Sequence, residues 1–214
     1  MKPFAPSTLS ALALVWCAFS VDFAGNAAAI PQDAPASPPR AAAPPDPPNH
    51  PPAAARRPES RPTPRPEDVP SPEALEAALS DVISGPAGQK RDWVRFRSLF
   101  HPGSRLITMP VGPDGGRRTV EVTPEGYEKR AATYLETEGF FEKGIARRTE
   151  SFGAVAHVFS TYESRHKAAD ALPFARGVNS IQMMKTIDGW SITSLVWEEE
   201  RPALPIPAEL LPRK

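Results

Sequence analysis

The spacing of apolar residues predicts three helices between residues 71 and 140. The first begins at Ser71, whose hydroxyl can cap free backbone amides, and ends at Gly85. The second spans Asp92 to Phe100, and the third begins at Thr123. Each carries apolar side chains three and four positions apart, which is the pattern of a helix with one buried face.

Alternating apolar and polar residues predict six strands. The first two flank the turn "GPDGG", and the last four follow one another as an antiparallel meander. The predicted strands span Arg105–Val111, Arg117–Val122, Phe140–Thr149, Val155–Arg165, Val178–Ile187 and Trp190–Trp197. This order of elements predicts an α+β domain in which helices cover one face of a curved antiparallel sheet.

Proline divides the chain into three parts. The sequence holds 28 prolines in 214 residues, and most of them precede the first predicted helix. Residues 1–29 combine an apolar run with small residues, which is typical of a secretory signal peptide. Residues 30–72 have too few apolar side chains to offset the entropy of ordering, so they are predicted as a disordered linker. Residues 73–214 form the predicted domain.

The signal peptide predicts a secreted or periplasmic protein. Its apolar run is too short to span a membrane. Trp16 precedes Cys17, where bacterial lipoproteins need a small residue, and this argues against a lipid anchor. The mature chain then contains no cysteine, which excludes disulfides and thiol catalysis.

Three stretches of the predicted domain resemble one known family. "WVRFRSLFHPGSRL", "GFFEKGIARRTESFGAVAHVFSTYESR" and "FARGVNSIQMMKTIDGWSITSLVW" look like the nuclear-transport-factor-2-like (NTF2-like, cystatin-like) superfamily, in its bacterial polyketide-cyclase-like (SnoaL-like) branch. The resemblance implies a cone formed by a bent sheet wrapped on the N-terminal helices. It also implies a pocket at the open end and a homodimer through the outer sheet face.

Two predicted turns place the candidate site residues. A turn at Phe152-Gly153 would set Glu142 opposite Glu163, with His157 on the same face. Paired acids beside a histidine favour acid–base chemistry on a small molecule. Alternatively, Arg165 or Arg148 neutralises the acids, and His157 is an ordinary sheet residue.

A second predicted turn, at Asp188-Gly189, would set Asn179 opposite Glu198 at the pocket rim. Aromatic residues of the helices would supply the apolar wall. The candidate ligand-binding residues are therefore Asn179, Glu198, Tyr127, Tyr134, Trp93 and Met109. Met109 is included because "LITMPVG" resembles the stretch that carries the proton-abstracting aspartate in steroid-isomerase-like members. A thioether there cannot abstract a proton, which argues against that reaction.

The sequence favours a pocket or interaction domain without catalytic activity. The alternative is a cofactor-free lyase or isomerase that acts on a hydrophobic small molecule through His157 with Glu142 or Glu163. The four histidines show no HxH or HExxH spacing, so no metal is predicted. No nucleotide motif appears and no cofactor is predicted. The zero net charge argues against nucleic acid.

Overall fold

The computed structural model describes residues 61–112 and 115–212. The predicted signal peptide, Cys17 and most of the predicted linker lie outside the described residues, as does part of the "GPDGG" turn. The helices are α1 (Pro72–Ile83), α2 (Trp93–Ser98) and α3 (Pro124–Glu138), and the strands are β1 (Phe100–Thr108), β2 (Val120–Val122), β3 (Phe141–Phe152), β4 (Val155–Arg165), β5 (Ala175–Thr186) and β6 (Gly189–Glu199).

The helices begin where the sequence predicts them. Ser71 Oγ accepts a hydrogen bond from the Ala74 amide at 3.1 Å at the start of α1, and Thr123 caps α3 in the same way. Asp92 caps α2 by accepting from the Arg95 amide at 2.8 Å. Helix α2 ends earlier than predicted, because Phe100 already pairs with Ile192 of β6.

The predicted α+β class is confirmed. The six strands form one curved sheet in the order β2-β1-β6-β5-β4-β3. Strands β3 to β6 are an antiparallel meander, and β1 pairs with β6 in parallel. The helices cover one face, and the apolar core between the two layers includes Leu75, Phe96, Leu106, Val158, Ile181 and Ile192.

Both predicted hairpin registers are wrong. The β3–β4 turn is Gly153-Ala154, and a bulge at Ile145 shifts the register by one more residue within β3. Together they set Glu142 opposite Ser164 and Glu163 opposite Lys143.

In the second hairpin the loop residues are Ile187 and Asp188, and Gly189 already belongs to β6. Gly189 has φ of +108°, and a Cβ there would lie 2.6 Å from a Val69 methyl group. Residue 189 must therefore be glycine for two reasons, the positive φ of the turn and the close approach of Val69. A bulge at Thr193 then sets Asn179 opposite Trp197.

The folded part begins earlier than the predicted boundary at residue 72. Val69 is buried in the core, and its carbonyl accepts a hydrogen bond from the Trp190 amide at 2.9 Å. Asp68 is also buried and holds Arg95 through two hydrogen bonds of 2.7 and 2.9 Å. Residues 66–69, here called the N-terminal strap, are thus part of the domain.

Buried Arg91 ties the ends of two helices together. Its guanidinium donates to the carbonyls of Ile83, Gly85 and Leu135 at 2.8, 2.7 and 2.9 Å. Helix C-termini leave carbonyls without intrahelical partners, and Arg91 satisfies them at α1 and α3 together. Desolvation by burial lowers the pKa of Arg91.

Candidate functional site

The inner face of the sheet changes from apolar to polar along its length. Three cross-strand rows near the β3–β4 and β5–β6 turns are formed mainly of apolar side chains, among them Ala156, Met183, Val158 and Ile181. The rows at the other end carry most of the polar groups. The candidate site therefore lies at the end of the sheet that is far from the two turns.

Three polar rows form this end. Ser160 faces Asn179, which faces Trp197 in the next strand. One row further, Tyr162 faces Gly177, which faces Glu199. In the last row Glu142 faces Ser164. All these side chains alternate with outward-facing neighbours, so strand geometry places them on one face.

Gly177 allows Tyr162 to lie across the sheet. A Cβ at Gly177 would overlap the Tyr162 hydroxyl and would lie 2.6 Å from the Glu198 carbonyl oxygen. The ring of Tyr162 thus occupies the space above a residue that has no side chain. This arrangement brings its hydroxyl towards Glu199, the next inner residue of the same row.

Five residues of these rows line a cavity between the sheet and α1, α2 and α3, namely Glu142, Tyr162, Ser164, Asn179 and Trp197. Its volume is about 90 Å³, which is enough for several water molecules or a small organic group. The lining is mainly apolar and aromatic, with a few polar groups. It consists of Leu79, Ile83, Phe96, Leu106, Tyr127, Arg130, Ala131, Tyr134, Leu135, Phe140, Glu142, Tyr162, Ser164, Asn179, Leu195 and Trp197.

Two hydroxyl groups of the lining are buried without a hydrogen-bond partner among the described residues. They belong to Tyr134 and Ser164, and Ser164 is fully buried. Burial raises the pKa of Tyr134 to about 12, so the phenol stays protonated and can donate. Unpaired buried polar groups are rare because each costs about 1–3 kcal/mol. Such groups in a cavity wall indicate a place where a ligand can bind.

Glu142 supplies an acid to the cavity wall. Desolvation by burial raises the pKa of Glu142 to about 7, and the nearby Glu76 carboxylate acts in the same direction. A hydrogen bond of 2.9 Å from Ser80 Oγ opposes this shift. Glu76 itself is paired with Arg147 at 2.7 Å. Glu142 can therefore gain or lose a proton near neutral pH.

Glu199 is a second desolvated acid at the same end of the sheet. Burial raises the pKa of Glu199 to about 7. Burial raises the pKa values of Tyr134 and Tyr162, and the charge of Glu199 acts on both in the same direction. Glu142 acts on Tyr162 as well, so both acids influence this phenol.

The structure does not bring Glu142, His157 and Glu163 together. His157 and Glu163 point to the outer face, whereas Glu142 points inward. His157 Nε2 lies 3.0 Å from Ser180 Oγ, and Glu163 forms an ion pair with Arg165 at 2.7 Å. The predicted acid–base triad is therefore wrong, because the bulge at Ile145 exchanges the faces of the preceding part of β3 relative to β4.

The predicted ligand-binding residues divide in the same way. Asn179, Tyr127 and Tyr134 line the cavity, but Glu198, Met109 and Trp93 do not. The Thr193 bulge turns Glu198 outward, where it pairs with Arg117 at 2.6 Å and Arg201 at 2.8 Å. Trp93 packs edge-on against Phe96 and Tyr127 from outside the cavity.

Sequence reasoning missed Glu199, Tyr162 and Ser164. Ser164 and Tyr162 share the inward alternation of Val158 and Ser160 in "VAHVFSTYESR", so alternation alone could have found them. Glu199 points inward because of the bulge at Thr193. No local sequence pattern predicts that bulge. Among the described residues, no three His, Cys, Asp or Glu side chains cluster as a metal site would require.

Among known proteins, several solved structures are similar to this chain. No family model matches the chain, and no curated protein matches it. A protein of unknown function with a cystatin-like fold from Nostoc punctiforme is similar, with 15% identity, coverage of 62% of this chain and 90% of the other, and a TM-score of 0.47.

Two NTF2-like proteins of unknown function are similar at comparable levels. The one from Pseudomonas putida has 8% identity, coverage of 65% of this chain and 93% of the other, and a TM-score of 0.47. The one from Shewanella baltica has 12% identity, coverage of 61% and 98%, and a TM-score of 0.40. None of the helices in the described part of the chain is long and apolar enough to span a membrane.

Proposed function

We propose that the domain binds a small, largely hydrophobic molecule in the cavity at the open end of the sheet. The observation that carries this proposal is the pair of buried, unpartnered hydroxyls of Tyr134 and Ser164 in an aromatic wall. Known ligand sites combine such apolar walls with a few convergent polar groups. Asn179 and Glu142 add further polar contacts to the same wall.

A binding experiment with a filled cavity tests this function. Ala131 is buried on α3 and lines the cavity, so Ala131→Leu adds volume there. We expect small hydrophobic fragments to shift the NMR signals of cavity residues in the natural protein and not in this variant. Thr133→Leu, at an exposed position of the same helix, is the control. Absence of any fragment binding to the natural protein would contradict the proposal.

A cofactor-free lyase or isomerase is the second candidate, because Glu142 titrates near neutral pH inside the cavity. His157 and Glu163 point to the outer face of the sheet and therefore take no part in this candidate reaction. If the protein acts on its ligand, Glu142→Gln should abolish turnover while binding persists. If turnover is absent in the natural protein, the binding role stands alone.

We also propose that the protein is an exported member of the polyketide-cyclase-like branch of the NTF2-like superfamily and forms a homodimer through its outer sheet face. Support for export comes from the signal-peptide pattern of residues 1–29. Mass spectrometry of the mature protein should find an N-terminus near Ile30. An acylated Cys17 would instead establish a lipid anchor.

A further inference from the structure

Glu142 in the cavity wall and Glu199 at the same end of the sheet differ from the other shielded acids of the domain. Glu76, Glu163 and Glu200 each form an ion pair of 2.7 Å with an arginine. Among the described residues, neither Glu142 nor Glu199 has a lysine or arginine within ion-pairing distance. Carboxylates taken out of water are normally paired, so the Glu142 carboxylate in the cavity wall can pair with a cation that a ligand supplies.

The aromatic residues of the cavity wall also favour a cation. Six of its lining residues are aromatic, namely Phe96, Tyr127, Tyr134, Phe140, Tyr162 and Trp197. Aromatic faces attract ammonium groups within about 6 Å, and the attraction grows when the cation is desolvated. An aromatic enclosure with a nearby carboxylate is a known way to hold an alkylammonium group.

Ser164 gives an observation that is independent of the acids. Its side chain is fully buried, lines the cavity and has no hydrogen-bond partner among the described residues. Since Ser164 lies opposite Glu142 in the register, an unsatisfied acceptor oxygen and a carboxylate border the same part of the cavity. Both can accept from an ammonium N–H.

We propose that the ligand of this cavity carries an alkylammonium group, held by the aromatic wall and by Glu142, with Glu199 adding negative charge at the same end of the sheet. This proposal rests on the proposed binding function and names its ligand class. The charged and titratable groups around the two acids are Glu76 of α1 with its partner Arg147, Tyr127, Arg130, Tyr134 and Glu138 of α3, and Tyr162 of β4. Arg130 is exposed and belongs to the rim of the cavity.

Three probes of similar size and different charge test the proposal. tert-Butylammonium is a cation with N–H donors, tert-butanol is neutral and pivalate is an anion, and none of them changes charge between pH 6 and 8. Binding of each to the full chain is measured by NMR titration. We expect tert-butylammonium to bind at least about tenfold more tightly than tert-butanol at pH 8 and pivalate to bind least. Its affinity should fall by about tenfold at pH 6, as Glu142 and Glu199 take up protons.

Variants connect the preference to the two acids. Glu142→Gln and Glu199→Gln should each reduce the preference for the cation, whereas Glu150→Gln on the exposed part of β3 should leave it unchanged. Equal or tighter binding of tert-butanol would overturn the ammonium proposal and leave the binding function standing. Failure of all three probes, together with failure of the hydrophobic fragments, would overturn both.

Discussion

Glu142 shows how the surroundings of a residue decide its chemistry. Glu142 and Glu150 lie on the same strand, but Glu150 is exposed and pairs with Arg148, whereas Glu142 borders the cavity. Burial raises the pKa of Glu142 from 4.5 to about 7. Between pH 4.5 and about pH 7 the folded state binds this proton more tightly than the unfolded chain does. The free energy of unfolding therefore falls as the pH rises through this interval.

This linkage predicts a pH-dependent effect of Glu142→Gln. Because the amide cannot ionise, the variant should lack the loss of stability that the natural protein suffers above pH 5. The free energy of unfolding of the variant relative to the natural protein should increase by roughly 1–3 kcal/mol between pH 5 and pH 8, since one pKa unit corresponds to about 1.4 kcal/mol. Urea unfolding at both values checks this, with Glu150→Gln as the control. An equal difference at both pH values would contradict the raised pKa.

At Glu163, in contrast to Glu142, we expect replacement by glutamine to destabilise the fold. Its side chain and that of Arg165 are 18% and 19% exposed and lie 2.7 Å apart. Glu163→Gln leaves the Arg165 charge without its partner, so thermal unfolding should show a loss of roughly 1–2 kcal/mol. Glu150→Gln, from the exposed pair with Arg148, should lose less than about 0.5 kcal/mol. An unchanged Glu163→Gln variant would mean that the pair is not stabilising.

The sequence could place some site residues and not others for a physical reason. Alternation within one strand put Asn179 on the buried face, and the structure agrees. Pairs across strands depend on the turn and on every bulge between the turn and the site. One bulge at Thr193 is enough to replace Glu198 by Glu199 on the inner face, because the side-chain period of a strand is two.

Helices were easier to predict than the segment before them. Ser71 and Thr123 mark helix starts through local hydrogen bonds, which depend on neighbouring residues alone. The N-terminal strap holds a single apolar residue, Val69, in a proline-rich stretch. Its burial depends on contacts with β6, distant in sequence, so composition alone favoured a linker.

Val69→Ala tests the role of the N-terminal strap. The residue is 3% exposed and contacts the Gly189 region of β6, so removing two methyl groups should cost about 1–2 kcal/mol of unfolding free energy. Chemical denaturation measures this loss. Val94→Ala, at a site that is 58% exposed, should change stability by less than about 0.5 kcal/mol. Equal effects of both substitutions would show that the strap does not pack in solution.

Arg91→Met should be among the most destabilising single changes. Methionine keeps much of the apolar stem but removes donors from the carbonyls of Ile83, Gly85 and Leu135. Unsatisfied buried carbonyls should lower the unfolding free energy by about 3 kcal/mol or more. The exposed Arg148→Met is the matched control. A loss under about 1 kcal/mol would mean that water replaces the guanidinium.

The two faces of the sheet give the whole molecule two separate surfaces. The inner face holds the core and the cavity. The outer face carries His157 and Phe159, whose rings lie 5.9 Å apart, and Val196 of β6. The C-terminal segment crosses part of this face, where Thr161 Oγ1 donates to the Leu210 carbonyl at 2.6 Å. The remaining outer surface is where the proposed dimer would form.

A charge at Phe159 tests the proposed dimer. Phe159 is partly buried in the single chain and lies at the centre of the outer face, so a dimer through this face would desolvate residue 159 in both copies. A buried unpaired carboxylate is strongly unfavourable. We expect the natural protein to sediment as a dimer in analytical ultracentrifugation and Phe159→Asp to sediment as a folded monomer. Phe152→Asp, at the 88% exposed turn end of β3, should remain dimeric. A natural protein that is monomeric at all concentrations would refute the dimer, whereas a dimeric Phe159→Asp variant would place the interface elsewhere.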